Sequence, residues 1–244
     1  MSQSDTLNQG SPSPGGPVAA RATERPLTLA LPKGRILHEA VALLRELGVD
    51  ASECIADNRK LVFELPGGLY RVLVVRSSDV PAYVEGGAAD LGIAGLDVLR
   101  EDGVDLFEPL DLEIGRCRLV VAEPIDRPVR EDAVARLRIA TKYPETARAH
   151  FLGRGQQVDI IKLHGSIELA PLVGLCDRIV DLVETGETLK QNRLRVLEEI
   201  AQVSSRIVVN RASLKTRAAP IRALLAALEG AVRARRLAKP QEQP

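Results

Sequence analysis

The sequence predicts an α/β protein of two lobes with mostly parallel sheets and a ligand cleft between them. Two observations carry that prediction. Short apolar runs alternate with helically spaced segments along nearly the whole chain, and the alternation restarts after one unusually long strand-like stretch, residues 110–124. Repeated strand–helix units build parallel sheets covered by helices, and a cleft between two such lobes is where ligands usually bind.

The elements follow in order. Residues 1–26, rich in Ser, Gly and Pro and without an apolar core segment, read as a disordered tail rather than a signal peptide. Leu27 to Leu31 is an apolar strand. From Ile36 the apolar spacing is helical, and Gly48 is placed to end that helix. "KLVFELPGGLYRVLVVR" reads as a hairpin about Pro66-Gly67-Gly68. "SSDVPAYVEGG" reads as a capped helix, "ADLGIAG" as a buried strand and Leu96 to Arg100 as a short helix. The stretch 110–124 carries the chain into the second lobe. There "LRIATKYP", "QQVDIIKLHG" and "DRIVDLV" are strands, and "ETARAHFLGRG", "SIELAPLVGLC" and "LKQNRL" are the helices after them. "SSRIVVNRASL" adds a late strand, and Ala218 to Ala238 an amphipathic helix with a basic end. The expected layout is a first lobe of residues 27–112 plus 201–238, a second of 113–200, and a polar tail of 239–244.

Composition excludes several function classes. The 244 residues balance 33 Lys and Arg against 33 Asp and Glu, so no overall field recruits nucleic acid or a membrane surface. Three Tyr, three Phe and no Trp make poor base-stacking platforms. No apolar run reaches the roughly 18 residues of a membrane span. Cys54, Cys117 and Cys176 are widely spaced, indicating neither a metal site nor a disulfide framework; each reads as a small buried hydrophobe. The expected location is the cytoplasm. His38, His150 and His164 have no nucleophile or carboxylate at a recognisable spacing and read as surface or packing residues.

The most informative stretch is "IVDLVETGETLKQN", residues 179–192. A strand ends in the turn Thr185 to Thr188, whose backbone N–H groups and hydroxyls suit a phosphate. Asp181 and Glu184 just before it can accept hydrogen bonds from a sugar diol. A ribose 5-phosphate uses both halves. An ordinary strand–turn–helix with Thr188 as its cap explains the same spacing. Glu187 lies inside the turn and is expected to point to solvent, offering only its N–H. "LPKGRI" places Lys33, Gly34 and Arg35 at a helix start, either an anion site or a solvated basic turn. Arg76, Ser77 and Asp79, and likewise Gly95 and Asp97, fall where a strand ends and a helix begins. Ser77 and Asp79 read equally as helix caps. Thr141, Lys142 and Tyr143 lie at the cleft end of a second-lobe strand.

The segment "HGSIELAPLVGLCDRIVDLVETGETL" resembles the signature region of the ATP phosphoribosyltransferase family. Gly165, Ser166, Glu168, Pro171, Gly174, Asp177, Asp181, Thr185, Gly186, Thr188 and Leu189 carry the match. "LPKGRI", "NRK" and "RSSDVPAYVEGGAADLGIAGLDVL" follow the family's N-terminal patterns. The resemblance spans about residues 27–217. It implies a two-lobed fold like the type II periplasmic binding proteins. It also implies a reaction in which N1 of ATP displaces pyrophosphate from C1 of 5-phosphoribosyl-1-pyrophosphate (PRPP), the first step of histidine biosynthesis. Asp181, Glu184, Thr185, Gly186, Glu187 and Thr188 would hold PRPP, with Arg35 and Arg59 on its pyrophosphate. Lys33, Arg76, Ser77 and Asp97 would serve ATP. Mg²⁺ would arrive chelated by substrate, with no resident metal. With no regulatory domain following "VVNRASL", the chain resembles the family's short form. That form is a homodimer within a hetero-octamer completed by a regulatory subunit related to histidyl-tRNA synthetase. A cytosolic two-lobed small-molecule binding protein without catalysis is the competing expectation.

Overall fold

Leu27–Pro32 (β1) is buried at every position, as expected of a parallel strand covered on both faces. The computed structural model describes residues 25–56, 59–129 and 136–238; the tails expected at 1–26 and 239–244 lie outside them, apart from Arg25 and Pro26. Arg35–Glu46 (α1) packs on β1 through Leu37, Ala40, Val41, Leu43 and Leu44, each buried Leu contributing about 1.5–3 kcal/mol. Val62–Glu64 (β2) and Tyr70–Val75 (β3) form the expected antiparallel hairpin. A 3₁₀ turn, Ser77–Asp79, leads into Val80–Glu85 (α2). Then come Leu91–Gly95 (β4), Leu96–Asp102 (α3) and Phe107–Asp111 (β5).

The second sheet is built from Cys117–Pro124 (β6), Leu137–Thr141 (β7), Val158–Lys162 (β8), Arg178–Val183 (β9) and Leu194–Val203 (β10). Pro144–Gly153 (α4), Leu169–Leu172 (α5) and Glu187–Gln191 (α6) lie between them. Ser205–Val209 (β11) returns to the first sheet, and Arg211–Thr216 (α7) and Ala218–Ala238 (α8) close the chain. The first sheet has the order β2-β3-β1-β4-β11-β5, the second β10-β6-β9-β7-β8. Ile221, Leu224, Leu228 and Val232 of α8 join the core of β1 and α1.

Parallel pairing decides where ligands can go. β1, β3 and β4 run parallel, so Lys33, Arg76 and Leu96 all follow strand ends on one edge of the first sheet. β7, β8 and β9 run parallel in the second, and Val183 at the end of β9 faces Arg118 at the start of β6. The two crossings lie side by side between these edges. Leu112 N donates to Ser205 O at 3.0 Å and Ser205 N to Ile114 O at 2.9 Å.

Five expectations change. The sheets are mixed rather than mostly parallel: β2–β3, β4–β11, β11–β5, β6–β9 and β6–β10 pair antiparallel, because the hairpin and the crossing strands run back against the parallel core of each sheet. Residues 110–124 are two strands rather than one, because the chain turns at 112–116, with Glu113 at φ 57° and its N–H bonded to Asp111 Oδ1 at 2.8 Å. The helix expected as "LKQNRL" ends at Gln191, and the ten-residue β10 begins at Leu194. The helix expected in "SIELAPLVGLC" is a single turn, α5. Helix α2 forms without a side-chain cap, since Ser78 Oγ donates to Asp79 Oδ1 at 2.9 Å instead.

Candidate active site

The turn after β9 is built around Gly186, the cap of α6, at φ 81° and ψ 1°. A Cβ there would meet only Val183 Cγ1 at 3.8 Å, so backbone conformation rather than crowding calls for glycine. Thr188 is therefore not the cap. Thr185 Oγ1 instead receives Glu187 N at 3.4 Å, and the Glu187 carboxylate turns along α6 to accept from Gln191 Nε2 at 3.2 Å. Asp181, Glu184, Thr185, Gly186, Glu187 and Thr188 line one cavity of about 300 Å³. Glu168 joins them. The sequence flagged it only as a motif match, and the fold sets it beside Asp181. Burial pushes the Asp181 carboxyl above its ordinary value and Glu168 adds to the shift, while Leu182 N–H and Lys142 oppose it.

A second cavity of about 160 Å³ adjoins the first, sharing Leu182 with it. Arg35, Ser77, Asp97, Cys117, Lys142, Tyr143 and Ser205 are in its lining. Arg35 reaches across the cleft to an ion pair with Glu184, and its Nε lies 3.9 Å from Glu39 Oε1. Asp97 accepts a buried hydrogen bond from Tyr143 Oη at 2.9 Å, joining α3 of one sheet to the β7–α4 turn of the other. Gly95 permits this seat, because a Cβ there would stand 2.1 Å from Asp97 Oδ1. Burial, then the Asp97 charge, hold the Tyr143 hydroxyl far above its usual range. Nearby, Glu101 of α3 accepts from Glu145 N and Thr146 N, both at 3.0 Å, capping α4 from the opposite lobe.

Other expected site residues sit outside these two cavities. Lys33 and Arg76 are exposed at the ends of β1 and β3, on the cleft edge. Arg59 is exposed before β2. Cys54 and Cys176 are buried as expected, whereas Cys117 is half-exposed in the second cavity, its thiol pushed up to about 11 chiefly by burial. His150 packs edge-on against Phe151 and lies 3.1 Å from Glu198.

A family profile described as HisG, ATP phosphoribosyltransferase, matches residues 76–230. The ATP phosphoribosyltransferase of Citrifermentans bemidjiense is 54% identical over 205 residues, 83% of this chain and 97% of the relative. The chain belongs to the ATP phosphoribosyltransferase family. The relative from Acidithiobacillus ferrooxidans is 53% identical over 209 residues, 84% of this chain and 97% of its own length. Among solved structures, the ATP phosphoribosyltransferase (HisG:HisZ) complex from Thermotoga maritima aligns at a TM-score of 0.73 and 36% identity. It covers 85% of this chain and 99% of that one. The sulphonate-binding protein SsuA of Escherichia coli aligns at a TM-score of 0.56 and 18% identity, over 88% of this chain and 71% of its own, a likeness of fold alone. The architecture is thus that of the type II periplasmic binding proteins. Like its family, the chain is a pentosyltransferase that condenses ATP with PRPP in the first step of histidine biosynthesis. ATP phosphoribosyltransferases need a metal ion. Among the described residues, no helix is long and apolar enough to cross a membrane.

Proposed function

We propose that PRPP binds with its 5-phosphate in the turn Thr185 to Thr188 and its ribose diol on Asp181, Glu184 and Glu168. The supporting observation is that these residues line a single cavity, with Arg35 ion-paired to its rim. The turn offers backbone N–H groups, including that of Glu187, while the carboxylates accept from hydroxyls, so phosphate and acid side chains occupy different ends of one ligand. Arg35 holds the pyrophosphate, a role suited to a guanidinium that grips phosphate oxygens through two N–H groups. Arg59 is assigned to the same pyrophosphate on the "NRK" motif alone. Ser77 and Asp97 serve ATP from the second cavity, with Lys33 and Arg76 assigned by motif.

Mg²⁺ enters as a complex with the pyrophosphate of PRPP. The lone pair of adenine N1 attacks C1, and the electrons of the breaking C1–O bond leave with pyrophosphate, inverting the anomeric carbon. The protein's share is positioning and stabilising the leaving charge. We assign the lobes to residues 27–112 plus 201–238 and 113–200. The chain works in the cytoplasm as the family's short form, a homodimer within a hetero-octamer completed by a regulatory subunit related to histidyl-tRNA synthetase. Incubation with ATP, PRPP and Mg²⁺ yields N1-(5-phosphoribosyl)-ATP and pyrophosphate; no product with or without the regulatory subunit sinks the assignment.

Asp181 makes a pH prediction. Its raised pKa means that, on acidification, it becomes a neutral and poorer acceptor at a higher pH than a surface Asp does. PRPP affinity therefore falls on the acid side, and Asp181→Asn flattens that limb in a pH profile of kcat/KM for PRPP. An unchanged limb in the variant assigns it to another group. The stability sign is opposite: folding disfavours the charged form, so this contribution is lost as pH rises through the folded pKa.

A further inference from the structure

Helix α4 is capped from outside its own lobe. Its cap position is Tyr143, whose side chain makes no capping hydrogen bond, and the first-turn N–H groups of a helix have no partner within it. Glu101 supplies the missing acceptor. Its Oε1 takes Glu145 N at 3.0 Å, and its Oε2 takes Thr146 N at 3.0 Å and Thr146 Oγ1 at 3.1 Å. A carboxylate also suits the positive end of the helix. Glu101 lies 44 and 45 residues away from these partners, on α3, which follows β4 of the first sheet. Both of its oxygens are engaged by α4.

Two further contacts make α3 a joint between the lobes. Asp97, one turn before Glu101 and so on the same face, holds Tyr143 Oη at 2.9 Å. Leu96 packs against the buried cluster of Leu119, Ile139 and Phe151 in the second lobe. Helix α3 thus belongs to the first lobe by chain order and grips the second by its contacts. The division matters for the reaction. Arg35 stands at the start of α1 in the first lobe, whereas every residue lining the phosphate-turn cavity lies between 168 and 189 in the second.

We propose that Glu101 is a positioning residue of the reaction: through the N-terminus of α4 it clasps the second lobe to the first and so sets Arg35 opposite the phosphate turn. Its effect on turnover rests on the substrate assignment above; the clasp itself stands apart from it. The lobes need not separate by much for the effect to show, since a misplacement of about 1 Å costs up to about 10²-fold in rate.

Hydrogen exchange of the free protein reads the clasp directly. In Glu101→Ala, peptides covering 96–103 and 143–150 are expected to exchange about tenfold faster, while β1 keeps its rate; unchanged exchange over 143–150 overturns the proposal. Thr146→Val removes one of the three donors and leaves the backbone of α4 intact. It is expected to show the same local pattern at about two- to fourfold, and it carries the test if Glu101→Ala does not fold; no change there overturns the clasp equally. In turnover, Glu101→Ala is expected to lower kcat about tenfold, and Glu101→Gln, which keeps an acceptor oxygen, to recover part of that loss. A Gln variant no better than Ala counts against the hydrogen-bonded clasp. Placed on Arg35→Ala, Glu101→Ala is expected to cost about twofold or less, because an absent guanidinium cannot be misplaced. An unfolded fraction would multiply both backgrounds alike, so equal fold losses in the two also overturn the proposal. Because exchange needs no substrate, a wild type that makes no phosphoribosyl-ATP counts against the enzymatic reading and leaves the clasp to be judged by exchange.

Discussion

With Arg35 replaced by Ala, kcat falls by about 10²–10³, the cost of losing one donor aimed at developing charge, while the melting temperature barely moves. The second half follows from where Arg35 sits. Its side chain is 45% exposed, and its partners Glu184 and Glu39 are exposed to similar degrees, so the pairs are worth about 0–1 kcal/mol. The first half follows from its direction. Arg35 opens α1 yet reaches across the cleft to the residue beside the phosphate turn, where the pyrophosphate of PRPP would displace Glu184. Arg35→Lys keeps the charge and loses the planar fork, so its kcat should fall between the two. An unchanged kcat in Arg35→Ala removes the residue from the mechanism.

Asp90→Ala is expected to destabilise the fold by about 3–5 kcal/mol, the range for breaking a buried ion pair on one side. Asp90 has no exposed side-chain surface. It accepts from Thr28 N at 2.9 Å, Ser213 Oγ at 2.8 Å and Arg217 Nη1 at 2.7 Å, with Arg25 Nη2 at 3.0 Å. One carboxylate thereby ties the start of β1 and the start of β4 to the α7–α8 corner. Its removal leaves the nearly buried Arg217 guanidinium with only the carbonyls of Arg25 and Pro26 and no counter-charge, and strands the Thr28 N–H and the Ser213 hydroxyl. Asp90 precedes β4 at the end away from the cleft, so kcat at low temperature should survive. The denaturation midpoint reads the effect, and a loss below about 1 kcal/mol would show that the network is not what holds that corner.

Legibility in the sequence tracked burial. β1 and β4 are buried throughout, and such strands announce themselves as apolar runs. β10 does not. Only its first and last residues are fully buried, and its register slips at Val196/Glu198 and Glu199/Ala201. "LRVLEEIAQV" has no period-two alternation to read, and its pairing with β6 is long-range information. In the site, Asp181 and the phosphate turn stand out because strand, turn and helix are contiguous there. Glu168 and Ser205 enter the lining of the two cavities only when separate elements are brought to one edge. The Asp97–Tyr143 bond joins residues on different sheets, so local spacing could not express it.

The position of β11 has a consequence for how this chain is made. β11 lies between β4 and β5 in the first sheet, yet it is encoded after every strand of the second. A chain emerging from the ribosome presents β4 with an open edge and β5 with no neighbour until the whole intervening unit is out, at about 5–20 residues per second. Vectorial synthesis therefore delivers every strand of the second sheet before β11 can pair, and in the finished fold Ser204 lies beside Asp111, whose Oδ1 accepts from Ser204 Oγ at 2.8 Å. A nascent chain stalled before Ser205 should be captured by chaperones through the bare edge of β4, and one stalled after Val209 should not.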